Sequence, residues 1–221
     1  MFLSNNVEGK KGAGIREADS SKPIGRMLRK GAGISLFLLY IPKEGFLMNE
    51  GTKTKQYILC ALFIAFSAIC AQLVIPIQPV PITLGTLAIL MAGAMLGPKY
   101  GALSVFLYVL LGLVGVPVFS MGRAGVGIIA GPSGGFVMGW VLVAAVTGYL
   151  AEKLGRSYVS LVIAMLAGTI VCYVTGVAWF MFLTGTGLWA ALVACMFPFL
   201  IGDSLKIVIG AFLVRRCRDY I

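Results

Sequence analysis

The sequence contains no histidine. That removes the commonest general base and the commonest metal ligand. It has no Gly-Lys-Ser/Thr phosphate loop, so the chain cannot hydrolyse ATP by that route. Neither His-Glu-x-x-His nor Gly-x-Ser-x-Gly occurs, and an intramembrane hydrolase would then need a pair of carboxylates. No internal repeat is visible, which argues against an inverted-repeat secondary transporter. Charge is also scarce. Between Tyr57 and Val214 the only charged residues are Lys99, Arg123, Glu152, Lys153, Arg156, Asp203 and Lys206. The five cysteines, Cys60, Cys70, Cys172, Cys195 and Cys217, make no Cys-x-x-Cys pair and fall mostly in apolar runs. They read as buried structural thiols.

What is abundant is apolar surface. The chain is 59% hydrophobic and 12% charged, with a mean hydropathy of +0.97. An ordinary soluble domain is excluded, and a polytopic, all-α membrane protein is expected. The net charge of +10 is read as topology rather than nucleic-acid binding. The basic residues flank hydrophobic spans and form no aromatic-interleaved patch.

Residues 1–47 are Gly-, Lys- and Ser-rich, with one short apolar piece, Ile34–Ile41, far below the ~20 residues that cross a bilayer. They are expected to be an upstream extension or a disordered arm, with Met48 as the natural start and 48–221 as the membrane domain. No small-x-small cleavage site follows the apolar piece, so a signal peptide is rejected. Six spans are expected, near 57–75, 82–96, 100–116, 134–151, 158–182 and 188–214. The first contains Ala61 and Ala65, a small-xxx-small spacing that lets another helix approach closely.

Three connections stand out. Pro76-Ile-Gln-Pro-Val-Pro-Ile-Thr83 has three prolines in six residues and cannot be regular helix. It predicts a stiff, extended loop offering Gln78 and Thr83. Residues 112–139 are glycine-rich, carry Arg123, and close on Gly131-Pro-Ser-Gly-Gly-Phe136. Bare amides opening a helix there, with Ser133, suit an anionic or carbonyl-bearing ligand, although glycine also serves close helix packing. Thr184-Gly-Thr-Gly187 is the third. Counting Lys and Arg, Lys53, Lys55, Lys99, Lys153, Arg156, Arg215, Arg216 and Arg218 fall on one side, and Arg123 alone on the other. The positive-inside rule makes both termini cytoplasmic and places all three connections outside.

Asp203 and Lys206 lie within the last apolar run, in Pro198-Phe-Leu-Ile-Gly-Asp-Ser-Leu-Lys. Each costs about 2.5–3.5 kcal/mol at bilayer depth on insertion scales. Three residues apart, they share a helical face, which must point to protein or a wet cavity. An i,i+3 pair with no outside partner is a weak stitch between helices, so a ligand role is favoured. The expected pocket opens outward, capped by the Pro-rich and Gly-rich loops and floored by the last helix, with Tyr173 and Trp179 as aromatic walls. Asp203 is the lone acid inside the spans, so catalysis is not expected.

These segments together resemble a known family. Gln78-Pro-Val-Pro-Ile-Thr83 with Leu84-Gly-Thr-Leu87, then Gly131-Pro-Ser-Gly-Gly-Phe136, then Pro198 through Lys206 resemble BioY. That family is the biotin-specific substrate-binding (S) component of energy-coupling-factor (ECF) transporters. The resemblance covers nearly all of residues 48–221. It implies six transmembrane helices, a vitamin site near the outer face, and delivery to a coupling membrane protein with two cytoplasmic ATPases. It further implies that Ala61 and Ala65 dock the coupling protein. No cofactor is implied beyond biotin as cargo. The chemistry agrees. A buried carboxylate such as Asp203 can accept ureido N–H bonds, and Lys206 or Arg123 can meet the tail carboxylate. An S component for another vitamin is the nearest rival reading, and a non-transporting structural protein the next.

Overall fold

The computed structural model describes residues 51–76, 80–155 and 157–218. The expectations for residues 1–50, with the suggested start at Met48, and for Gln78 and Arg156 lie outside the described residues. The described chain is mostly helical. Among the described residues, five helices are long and apolar enough to cross a membrane: Thr54–Gln72, Gly85–Val114, Gly134–Lys153, Tyr158–Thr184 and Leu188–Cys217.

The expected second and third spans form one helical element, α2 (Gly85–Val114), broken at Gly97. Gly97 has φ +78° and ψ −179°, a left-handed backbone that glycine reaches without strain, and Pro98 follows it. The break is a reversal. Gly101 packs on Gly93 and Ala92, whereas eight residues of straight helix would separate them by about 12 Å. The two arms of α2 are therefore separate crossings, as the Gly-Pro pair at 97–98 predicts.

The first helix, α1 (Gly51–Gln72), stops before the expected Ile75 because the chain turns into a two-residue strand. That strand, β1 (Val74–Ile75), pairs antiparallel with β2 (Ile82–Thr83), with Val74 opposite Thr83. The Pro-rich loop is thus closed at its base by a hairpin ladder. After α2 come a short turn at Ser120–Gly122, a one-turn helix α3 (Gly127–Ala130) and α4 (Gly134–Lys153). Helix α5 (Tyr158–Thr184) starts at Ser157, whose hydroxyl caps the Ser160 N–H, and stops at left-handed Gly185. The expected last span is interrupted. It consists of α6 (Leu188–Cys195), a 3₁₀ turn at Phe197–Phe199 holding Pro198, and α7 (Leu200–Arg218). Proline cannot donate to the preceding turn, so the helix restarts after it.

The centre of the domain is packed by small residues. A β-carbon at Gly93 would strike the Ala144 backbone of α4, and one at Gly148 would strike Gly97 and Pro98. One at Gly168 would strike the Thr147 hydroxyl. Lipid is as apolar as leucine, so close backbone approach rather than hydrophobic burial supplies most of the attraction between these helices. The outer faces carry exposed apolar side chains such as Ile69, Phe182 and Ile201, as a bilayer requires.

Candidate functional site

The break at Pro198 decides where the buried charges sit. Asp203 falls in the first turn of α7, near the positive end of the helix dipole, which favours a carboxylate. Sequence alone places it midway along an unbroken helix; the restart puts it at a helix opening instead. Asp203 is 9% exposed and Lys206 6%. Lys206 Nζ donates to Asp203 Oδ1 at 2.8 Å and to Thr86 Oγ1 at 3.1 Å. The Tyr173 hydroxyl donates to Asp203 Oδ2 at 2.5 Å.

The pair therefore has partners on α5 and α2, which a sequence reading of an isolated i,i+3 pair does not provide for. The network joins three helices, and it still retains capacity. Two of the ammonium's three protons are used, and the carboxylate accepts two of about four possible bonds. Burying an ion pair contributes little net stability, because desolvation offsets the attraction. The network is better suited to holding a polar ligand than to holding the fold.

Asp203, Lys206 and Tyr173 form the floor of a pocket with ≈ 630 Å³ of atom-free space, its open mouth included. Thr83 reaches it from the end of β2, Thr86 from the start of α2 and Ser133 from the start of α4. The Thr83 hydroxyl accepts the Gly85 N–H at 3.2 Å, which leaves its own proton for a ligand. Ser133 precedes α4 without a side-chain capping bond, so its hydroxyl is not spent on the helix. Arg123 lines the mouth. Its Nε donates to the Ser120 carbonyl at 3.2 Å, and among the described residues its terminal nitrogens have no hydrogen-bond partner.

Trp179 does not line this pocket. Its indole N–H donates to the Gly131 carbonyl at 3.1 Å, and Gly134 and Gly135 pack against its ring. The glycines of that motif thus provide room for Trp179, while Ser133 faces the ligand space. The aromatic walls come from elsewhere: Phe119, Phe136, Trp140 and Phe199. Phe119 and Trp140 meet at 6.3 Å between ring centroids, and Tyr108 stacks behind Trp140 at 6.0 Å. A signal for two of them was present. Ser133, Phe136, Val137 and Trp140 follow i, i+3, i+4, i+7 spacing and so share one helical face. Cys172 also lines the pocket and is buried. The Trp140 indole N–H is buried and has no partner among the described residues.

Ala61 and Ala65 are both exposed on α1. They share a stripe with Ile58 and Ile69, 49% and 58% exposed. The stripe lies away from the pocket.

Comparison with known proteins agrees with this architecture. The chain is 39% identical over 174 residues to the biotin transporter BioY of Rhizobium etli, covering 73% of this chain and 92% of that protein. It is 40% identical over 153 residues to the biotin transporter BioY of Rhodobacter capsulatus, covering 64% and 80%. These relatives are named as transporters, in keeping with the expectation of no catalysis. A crystal structure of the S-component for biotin from an ECF-type ABC transporter superposes with a TM-score of 0.73 at 34% identity, covering 78% of this chain and 95% of that one. A structure of FolT bound with folic acid superposes with a TM-score of 0.53 at 16% identity, a likeness of fold alone. The BioY family model matches residues 46–221, and the chain belongs to that family.

Proposed function

We propose that the chain is the biotin-binding S component of an ECF transporter and mediates biotin uptake across the cytoplasmic membrane. The observation that carries this reading is the buried Asp203–Lys206 pair at the floor of the pocket, with donor and acceptor capacity left over. Biotin's ureido group offers two N–H donors and one carbonyl acceptor, which match the carboxylate and the ammonium. Its fused ring fits between Phe119, Phe136, Trp140 and Phe199. The valerate carboxylate extends toward the mouth, where Arg123 has donors to spare. In this pose Lys206 takes the ureido end and Arg123 the tail. Thr83, Ser133 and Tyr173 complete the polar contacts.

Transport requires energy that this chain has no phosphate loop to supply. A coupling membrane protein carrying two ATPases would supply it, docking on the exposed Ala61–Ala65 stripe, where small side chains let a partner helix come close. Both termini are cytoplasmic in this reading, supported by the positive-inside bias. Biotin affinity of the purified Asp203→Asn variant tests the site. The substitution keeps the shape but removes the charge and one acceptor oxygen. Biotin affinity should fall about tenfold or more, with the folded, monodisperse protein retained. An unchanged dissociation constant would remove Asp203 from the site.

A further inference from the structure

We propose that Gln72 is a positioning residue for the ligand site: its side-chain amide holds the turn at 119–123 so that Ser120 and Arg123 face the pocket. The proposal rests on the reading of Arg123 as the partner of the ligand's carboxylate. Gln72 is the last residue of α1, and it does not line the pocket itself. Its Nε2 donates to the Phe119 carbonyl at 3.1 Å, and its Oε1 accepts the Gly122 N–H at 3.0 Å. A longer donation reaches the Pro117 carbonyl at 3.5 Å. Both ends of one primary amide thus grip one turn, 47 and 50 residues away in sequence. A primary amide presents a donor and an acceptor on one side, as a strand residue does with its own N–H and C=O, so Gln72 pairs with the turn much as a neighbouring strand would.

The turn requires such a grip. Met121 has φ +63° and is the one non-glycine residue in the left-handed region among the described residues; Gly122 follows at φ +66°. Strained backbone persists only where its surroundings over-determine it. Packing does not do so at the tip. Met121 is 59% exposed, and a β-carbon at Gly122 would meet nothing within 4 Å. Bonds inside the turn set its shape: the Phe119 N–H donates to the Arg123 carbonyl at 3.1 Å, and Arg123 Nε to the Ser120 carbonyl at 3.2 Å. They do not fix its place. Its flanks are anchored, by Tyr108 donating to the Val118 carbonyl at 3.0 Å and by the Gly125 N–H donating to Gly112 at 2.7 Å. Gln72 holds the tip between those anchors, where Ser120 and Arg123 turn toward the ligand space. The same helix end runs through Leu73 into β1, the base of the other loop that lines the pocket. Both mouth loops are therefore referenced to one point on α1.

The test is a double-mutant cycle on biotin binding by the full-length purified chain, with Gln72→Leu, Arg123→Ala and the pair. Arg123→Ala should weaken biotin binding about tenfold, and Gln72→Leu by several-fold to about tenfold, as expected for one or two lost hydrogen bonds. The double variant should bind little more weakly than Arg123→Ala alone, because in that background Gln72 has only Ser120 left to position. In the ligand-free protein, amide hydrogen exchange should quicken at 119–125 in Gln72→Leu and stay unchanged in α4. Gln72→Glu keeps an acceptor for Gly122 but has no N–H for Phe119, and it serves the same cycle if leucine disturbs the helix end. Four results would overturn the assignment: full affinity in the Gln72 variants beside a weakened Arg123→Ala, strictly additive losses, unchanged exchange at 119–125, or full affinity in Arg123→Ala. Absence of biotin binding by the unaltered chain would instead overturn the proposed function, and this assignment with it.

Discussion

The two halves of the domain are held together by opposite means. Away from the pocket, α2 and α4 meet backbone against backbone at Gly93, Ala144 and Gly148, and Gly168 of α5 packs on the Thr147 hydroxyl and Leu90. Around the pocket the contacts are polar or aromatic: Tyr173 and Lys206 on Asp203, Thr86 on Lys206, and Gln72 on the 119–123 turn. At Gly93 and Gly148 the close-packed half has no room even for a β-carbon. The polar half leaves donors, acceptors and space unused. The contrast teaches that the glycine seams can hold α2, α4 and α5 close without the charged residues, whose bonds to Thr86 and Tyr173 leave capacity for a ligand.

The sharpest way to break this contrast is to fill a seam. Gly148→Val would drive a branched side chain into Gly97 and Pro98 at the reversal of α2. Overpacking of this kind costs about 3 kcal/mol or more when backbone cannot yield. Loss of the monodisperse peak and a large drop in thermal unfolding temperature are expected, whether or not biotin is present. A folded Gly148→Val protein would show that the seam has more give than its geometry implies.

Substitutions at the polar end should do the reverse, leaving the fold and removing the ligand. Lys206→Met keeps the buried stem and removes the charge, stranding Asp203 with Tyr173 alone. Biotin affinity should fall by about tenfold to a hundredfold; because a lone buried carboxylate costs about 3–5 kcal/mol, the fold is compared in Lys206→Met/Asp203→Asn, which removes both charges and whose unfolding temperature should fall much less than that of Gly148→Val. Equal damage to folding and binding would mean that the pair is a helix stitch after all. Ser133→Ala should have the smallest effect, a loss of about fivefold or less for one neutral hydrogen bond. Isothermal titration of the variant checks it, and a larger loss would make Ser133 a central contact.

The seams are hard to see in the sequence, and most of the polar residues that line the pocket are not. Six crossings followed from apolar run length and from Gly97-Pro98. Asp203, Lys206, Thr83, Ser133 and Arg123 stand out because polar groups in apolar surroundings are conspicuous, and Tyr173 as an expected aromatic wall; all six line one pocket, with Tyr173 at its floor as a hydroxyl donor instead. Trp179 was placed by its position on the outer half of a helix, but helical phase turns it to Gly134 and Gly135. Trp140 sat unremarked in an apolar run, where tryptophan draws no attention, although its spacing from Ser133 carried the signal. The partners of Asp203 and the grip of Gln72 join residues 30 to 50 apart in sequence. No local pattern encodes such pairs; they exist only once the helices have docked.

The most direct test of the central claim is equilibrium binding of biotin to the purified chain in detergent, with thiamine and riboflavin as controls. The account predicts saturable, tight and biotin-selective binding without any partner subunit. A folded, monodisperse chain that binds none of the three, or that prefers thiamine or riboflavin, would contradict it.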